Sequence, residues 1–227
     1  MKKLALLLIC APMVFGCETW SNLASGTAIG AGAGAAIGTA AGYLLGKDGK
    51  SAAIGAAIGT AVGGTTGALI GNKMDKKAAE LAALENANIE TIEDINGLKG
   101  IKVTFDSGIL FATNSAELSE SAKSELKQFA SKMADMPETN FTIYGHTDNT
   151  GTREVNDRVS TNRANSVLNY LKGCGVENSR MTAQGLAYDF PVATNDTKEG
   201  RQQNRRVEIY ITANEEMIKA AEEGNLQ

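Results

Sequence analysis

Three periods of hydrophobic and polar positions follow one another along this chain. Between residues 118 and 171 the apolar side chains keep a helical spacing. Leu118, Ala122, Leu126, Phe129, Ala130 and Met133 make one stripe, and Val159, Ala164, Val167, Leu168 and Leu171 make another. A period near 3.6 predicts two amphipathic helices with one face each on a core. The second covers 155–171, with Gly173 ending it near a C-terminal cap. Short β-rich runs surround them. IETIEDI and IKVTF flank Asn96-Gly97 and read as a hairpin. FTIYG (141–145), RMTAQG (180–185) and RRVEIYI (205–211) read as three further strands; the last puts Val207, Ile209 and Ile211 on one face and leaves Arg206 and Glu208 on the outer one. From residue 100 the order is β-α-β-α-β-β, an α+β sandwich whose helices cover one face of the sheet.

The second period is four. Gly26, Gly30, Gly34, Gly38, Gly42 and Gly46 form one ladder, and Gly55, Gly59, Gly63, Gly67 and Gly71 another. GAAIGTAAG at 34–42 returns as GAAIGTAVG at 55–63, and the turn sequence KDGKS lies between the ladders. Glycine every fourth residue puts a flat groove on one helix face, where a second backbone can approach closely. The segment 26–71 is therefore read as a glycine-zipper helical hairpin, associated with a membrane or with itself. Each ladder of about 21 residues would span roughly 30 Å as a helix, near the thickness of a bilayer core. A flexible linker is the competing reading, because glycine weakens a helix by about 1 kcal/mol per residue relative to alanine. Such a linker has no need of a strict period or of the interleaved Ile29, Ile37, Ile54, Ile58 and Ile70. Residues 72–99 then read as a charged helical and β linker, and 214–227 as a tail.

The N-terminus shows the third pattern, one unbroken apolar run. Lys2 and Lys3 precede Leu4 to Ala11, and VFGC sets a small residue directly before Cys17. This is the layout of a secretory signal over 1–16. The small residue before cysteine resembles a bacterial lipobox, although Phe15 is bulkier than that pattern favours. An acylated Cys17 would then begin a short lipidated linker, 17–25, palmitate being the kind of chain attached. Cys174 would be the only other cysteine kept, too few for an internal disulfide.

Charge and composition narrow the partners. The net charge is −4, without a block of like charge, and six Phe, five Tyr and one Trp offer little for stacking on bases. Nothing points to nucleic acid. His146 is the single histidine; a hydrolase would need a nucleophile and an orienting group converging on it. There is no G-x-S-x-G, metal-ligand cluster or phosphate loop, so no enzymatic activity, metal or cofactor is expected. His146 is expected to pack at the end of its strand.

Candidate chemistry sits in GHTDNTG (145–151), where Asp148 occupies a Gly/Asn/Thr-rich loop, and in STNRANSV (160–167), where Arg163 lies inside a predicted helix. Helical spacing places Asn156, Ser160, Arg163 and Val167 in one stripe. Taken singly, Asp148 reads as an Asx-turn residue and Arg163 as half of a surface ion pair. Together with QNRRVEI (203–209) and FDSGILFATNSAEL (105–118), the motifs resemble the OmpA-like peptidoglycan-binding domain shared with Pal and MotB. The resemblance covers roughly 100–213, and the signal and glycine ladders ahead of it are similar to the YiaD-type lipoproteins. It implies noncovalent binding of the cell-wall stem peptide through diaminopimelate. Asp148 would take that residue's ammonium and Arg163 its carboxylate, with Asn156, Thr147, Asn114 and Arg205 at further pocket positions. Where the family often has an acid, two residues before Asn114, this chain has Ala112.

The resemblance also implies an outer-membrane lipoprotein whose C-terminal domain stands in the periplasm and tethers membrane to wall. The alternative is a structural component, an oligomer or pore that uses the wall domain only as its anchor. A motor stator would need an acid inside an apolar span; the sole acid of the glycine region, Asp48, lies in its turn.

Overall fold

The computed structural model describes residues 64–94, 97–112 and 115–226. The signal segment, Cys17, most of the glycine ladders and Asn114 lie outside the described residues. What is described is one layer of helices on a five-stranded sheet. In chain order the elements are α1 (Thr65–Leu81), β1 (Ala87–Glu93), β2 (Lys99–Asp106), α2 (Ser107–Leu110), α3 (Glu120–Lys132) and β3 (Thr139–Gly145). Next come α4 (Arg153–Gly173), a 3-10 turn (Asn178–Arg180), β4 (Met181–Gly185), α5 (Lys198–Asn204), β5 (Arg206–Ala213) and α6 (Glu215–Glu222). The strand order is β1-β2-β5-β3-β4. All pairings are antiparallel except β3 with β4, which α4 joins as a parallel crossover.

The sequence pattern accounts for most of this. Ile101, Val103 and Phe105 alternate on β2, and Val207, Ile209 and Ile211 on β5; all six are fully buried on the helix-covered face of the sheet. Phe129 of α3 meets Phe105 edge to face at 6.5 Å and Phe141 at 5.8 Å, which fixes the helix over the centre of the sheet. Helix α3 starts at Ser119, whose hydroxyl accepts from Ala122 N–H, and α4 starts at Thr152, which accepts from Val155. Helix α4 ends in a Schellman turn. Val176 N–H reaches Leu171 O and Gly175 N–H reaches Lys172 O, so the left-handed residue is Gly175, at φ +98°, rather than Gly173.

Both flanks join the same core. Ile70, Met74 and Leu81 of α1 and Met217 of α6 are fully buried, and β1 is one of the two edge strands of the described sheet. The stretch read as a linker therefore supplies a helix and a strand, and the stretch read as a tail supplies a helix. Lys77 shows why. It is only 4% exposed, and its ammonium bonds Asp135, Glu80 and the Lys132 carbonyl at the end of α3. Asn86 is clamped in the same way, by two bonds to Glu125 of α3. The short helix α5 also stands between β4 and β5, where the sequence pattern gave consecutive strands.

Candidate functional site

Helix α4 sits unusually close to the sheet, and two glycines allow it. A Cβ on Gly145, the last residue of β3, would stand 2.1 Å from the Ser160 carbonyl oxygen. One on Gly185, the last residue of β4, would stand 2.4 Å from the Thr161 amide nitrogen. With no side chains there, the middle of α4 lies directly on the strand ends. Ser160 then bridges the two: its hydroxyl accepts from Ala187 N–H and donates to the Asp157 carbonyl. The loop after Gly145 is held by backbone bonds from His146 N–H to Arg206 O and from Thr147 N–H to Ala187 O.

This contact brings the loop and the helix face together around a cleft of about 360 Å³, where β2 and β3 end and β5 begins. Asp148, Thr147, Asn156, Arg163 and Arg205 all line it. Five of the pocket residues read from the sequence thus share one cleft; Asn114 and the lipidation residue Cys17 fall outside the described residues. Ala112 is on the rim, so no acid stands at that position.

Asp148 is 6% exposed. Its Oδ1 accepts from the Thr150 N–H at 2.9 Å and from the Thr150 hydroxyl, an Asx turn, and its Oδ2 accepts from Arg205 at 2.6 Å. Burial alone pushes this carboxyl up, but the bonds from Thr150 and Arg205 outweigh it and hold the group below the ordinary carboxylate value. Asn156 donates to the carbonyls of Thr150 and Thr152, which fixes the loop against the start of α4.

Arg163 is equally buried, at 6%. Its Nε donates to the Ser115 carbonyl at 3.1 Å, and the guanidinium lies 5.2 Å from the centroid of the Phe111 ring. Among the described residues it makes no ion pair. Burial, then the like charge of Arg205, lowers its proton affinity, and Asp148 partly restores it. The hydroxyls of Ser107 and Thr147, both residues of the cleft lining, are buried without a hydrogen-bond partner among the described residues.

Phe111, Ser107 and Val155 also line the cleft without having been singled out in the sequence, and Val159, which the sequence pattern puts on the core stripe of its helix, is half-buried and lines the cleft instead. The FDSGILF segment contains two of them, but nothing in its pattern says that Phe111 lies beneath an arginine 52 positions later. His146 packs at the end of β3 as expected, 2% exposed, with Nε2 3.3 Å from Glu208 Oε2. Arg206 and Glu208 do lie on the outer sheet face. They are nevertheless buried, because the Phe190 carbonyl and the segment around it close over them.

Comparison with known proteins places these residues in context. Residues 110–205 match the model of the OmpA family, and residues 1–75 match that of the YMGG-like Gly-zipper. Outer membrane protein Omp38 of Acinetobacter baumannii is 39% identical over 130 residues, which are 57% of this chain and 34% of that protein. The Probable lipoprotein YiaD of Escherichia coli K12 is 38% identical over 112 residues, 49% of this chain and 51% of that one. Peptidoglycan-binding protein ArfA of Mycobacterium tuberculosis is 39% identical over 103 residues, 45% of this chain and 32% of that one. The chain thus spans between about a third and about half of the length of these relatives. Among solved structures, a MotB-like protein from Desulfovibrio vulgaris superposes with a TM-score of 0.54 at 28% identity, covering 65% of this chain and 95% of that one. The cell wall anchor of the T6SS from Pseudomonas aeruginosa gives 0.53 at 28% identity, covering 62% and 96%.

Proposed function

We propose, from the premise that residues 110–205 are an OmpA-family domain carried behind a YMGG-like glycine zipper, that this protein is an outer-membrane lipoprotein. Its cleft holds the cell wall noncovalently, through the diaminopimelate of the stem peptide. One observation carries the reading. A buried guanidinium with no acidic partner among the described residues shares a cleft with a carboxylate kept ionised. The free end of diaminopimelate bears an ammonium and a carboxylate on one carbon, and so complements both charges.

The roles follow from the donors each group has left. Arg163 has spent Nε on Ser115, which leaves its terminal nitrogens to grip a carboxylate, a geometry lysine does not match. Asp148 already accepts two bonds at Oδ1 and one at Oδ2, so one lone-pair direction remains for the ammonium. Arg205 orients that carboxylate as well as lining the cleft. Two relatives support the ligand class through their names, the peptidoglycan-binding ArfA and the cell wall anchor of the T6SS. An acylated Cys17 would supply the membrane end, so that the protein tethers outer membrane to wall, with the C-terminal domain in the periplasm. No catalysis is proposed.

Purified wall sacculi should retain the full-length protein and release it when free diaminopimelate is added. Retention that free diaminopimelate leaves unchanged contradicts the reading. The match to the glycine-zipper model favours a second, compatible role, self-association in the membrane. Crosslinking in detergent that falls when Gly34, Gly38, Gly59 and Gly63 are replaced by leucine would support it, and unchanged crosslinking would leave a lone tether.

A further inference from the structure

One buried residue keeps a backbone conformation that its side chain disfavours. Ala187, two positions past the end of β4, has φ +44°, and no other non-glycine among the described residues has a positive φ. It is fully buried, so no surface turn accounts for it. A left-handed alanine costs free energy that glycine would avoid, and such strain persists only where its surroundings impose it. Both backbone groups of Ala187 are in use. Its N–H donates to Ser160 Oγ of α4 at 3.1 Å, and its carbonyl accepts from the Thr147 N–H at 2.8 Å. The φ angle sets how those two groups point relative to each other, so a residue in the ordinary negative range would lose one of the bonds. The next two residues are held to the same helix. Arg153 bonds both Asp157 of α4 and Asp189, and its guanidinium lies 5.3 Å from the centroid of the Tyr188 ring.

We infer that Ala187 is a positioning residue: it fixes the separation of Asp148 from Arg163, and with it the preference for an ammonium and a carboxylate on one carbon. This rests on the wall-binding reading and deepens it. Arg163 lies three residues after Ser160 on α4, and Asp148 directly follows Thr147 in the loop. Ser160 and Thr147 are joined through the two backbone bonds of Ala187, so the helix carrying one charge is tied to the loop carrying the other. The remaining ties do not replace it. His146 N–H bonds Arg206 O, which anchors the loop to β5 and not to α4. Asn156 reaches the loop from α4 only beyond Asp148, at the carbonyls of Thr150 and Thr152. Alanine also serves better than glycine would. Its left-handed well is small, so the turn has few alternatives once held there. Glycine would admit many, and the loop would then have to be ordered again on binding.

The test uses the full-length protein in detergent, with diaminopimelate and pimelate as separate probes. Pimelate keeps both carboxylates but has no ammonium, so it engages Arg163 and gives Asp148 nothing. In Ala187→Gly the relief of strain and the lost methyl burial oppose each other, and the thermal midpoint should stay close to wild type. Diaminopimelate affinity should nevertheless fall about two- to tenfold in calorimetric titration, the cost of ordering a loop that is no longer preset. Pimelate affinity should not change. Ser160→Ala, which removes the acceptor of the Ala187 N–H, should show the same split between the probes. Hydrogen-exchange mass spectrometry without ligand reads the tie itself. Exchange in the loop peptide 145–151 should be faster in both variants, with β5 (206–213) unchanged. Unchanged loop exchange in both variants, or affinities for the two probes that fall in parallel, would overturn the inference. A wild type that binds no diaminopimelate, with loop exchange responding as expected, would leave Ala187 as the tie and overturn the wall-binding reading instead.

Discussion

Arg163 and Arg206 are the same residue type, buried to the same degree, at the same end of one sheet, and their surroundings differ in one respect. Arg206 donates through Nε to Glu208 at 2.8 Å and through its other nitrogens to the carbonyls of Asn204 and Phe190. Its charge and its donors are consumed by the fold. Arg163 has one carbonyl, one aromatic ring and no acid among the described residues. Burying a guanidinium is costly unless a counter-charge is supplied. On the far face of the sheet the chain supplies it. In the cleft it is left for a ligand. Burial alone does not distinguish a structural charge from a binding charge; the identity of the partner does.

Substitutions at the two arginines should therefore fail in different ways. The largest effect is expected from Arg206→Ala, which strands Glu208 in the interior. Breaking one side of a buried pair destabilises by about 3–5 kcal/mol, read as a large drop in the thermal midpoint. Replacing both partners, as in Arg206→Met with Glu208→Leu, should recover most of that loss. Arg163→Ala should leave the melt close to wild type yet weaken diaminopimelate binding by about 2–5 kcal/mol, roughly 30-fold or more. Arg163→Lys keeps the charge but not the two-pronged grip, and a loss of about tenfold is expected in the same titration. Wild-type melting by Arg206→Ala, or a collapse of the fold in Arg163→Ala, would erase the distinction.

Acid separates the two regions more gently. His146 is pushed below its ordinary value by burial first and then by Arg206, with Glu208 opposing. Glu208 is brought down to about 2, the bonds and charges of His146 and Arg206 outweighing the burial that would raise it. Both groups bind protons more readily in the unfolded chain. Their stabilisation is complete above the ordinary histidine value of 6.5, falls as His146 begins to titrate, and falls again between 4.5 and about 2 as Glu208 is protonated. Asp148 is also held below its ordinary 3.8. Ligand binding by the folded fraction should thus stay level from pH 7 to about pH 4, while the thermal midpoint declines over the same range. A binding curve that falls near pH 6 would mean that His146, and not Asp148, controls the cleft.

Much of this was legible in the sequence, and the remainder has a common cause. The strands carrying Phe141 and Ile209 and the helix stripe of Asn156 and Arg163 depend on local periods, and they lie where those periods put them. Lys77 lies in the stretch 72–99 that reads as a charged helical and β linker. It is buried because of Asp135, 58 positions away. The Asp148–Arg205 pair joins residues 57 apart, and no local pattern announces it. The strand period puts Arg206 and Glu208 on the correct face but carries no sign of their burial, because the segment that closes over them has no period of its own. Local geometry follows from spacing, whereas partners come from topology.

The central claim is that Arg163 reads a carboxylate, and one comparison isolates that group. The tripeptide L-Ala–γ-D-Glu–diaminopimelate and the same peptide with lysine in third place differ only by the carboxylate at the far end of the side chain. Calorimetric titration of the full-length protein should show the diaminopimelate peptide binding roughly 30-fold or more tightly, and Arg163→Ala should abolish the preference. Equal affinity of the wild type for the two peptides would contradict the account.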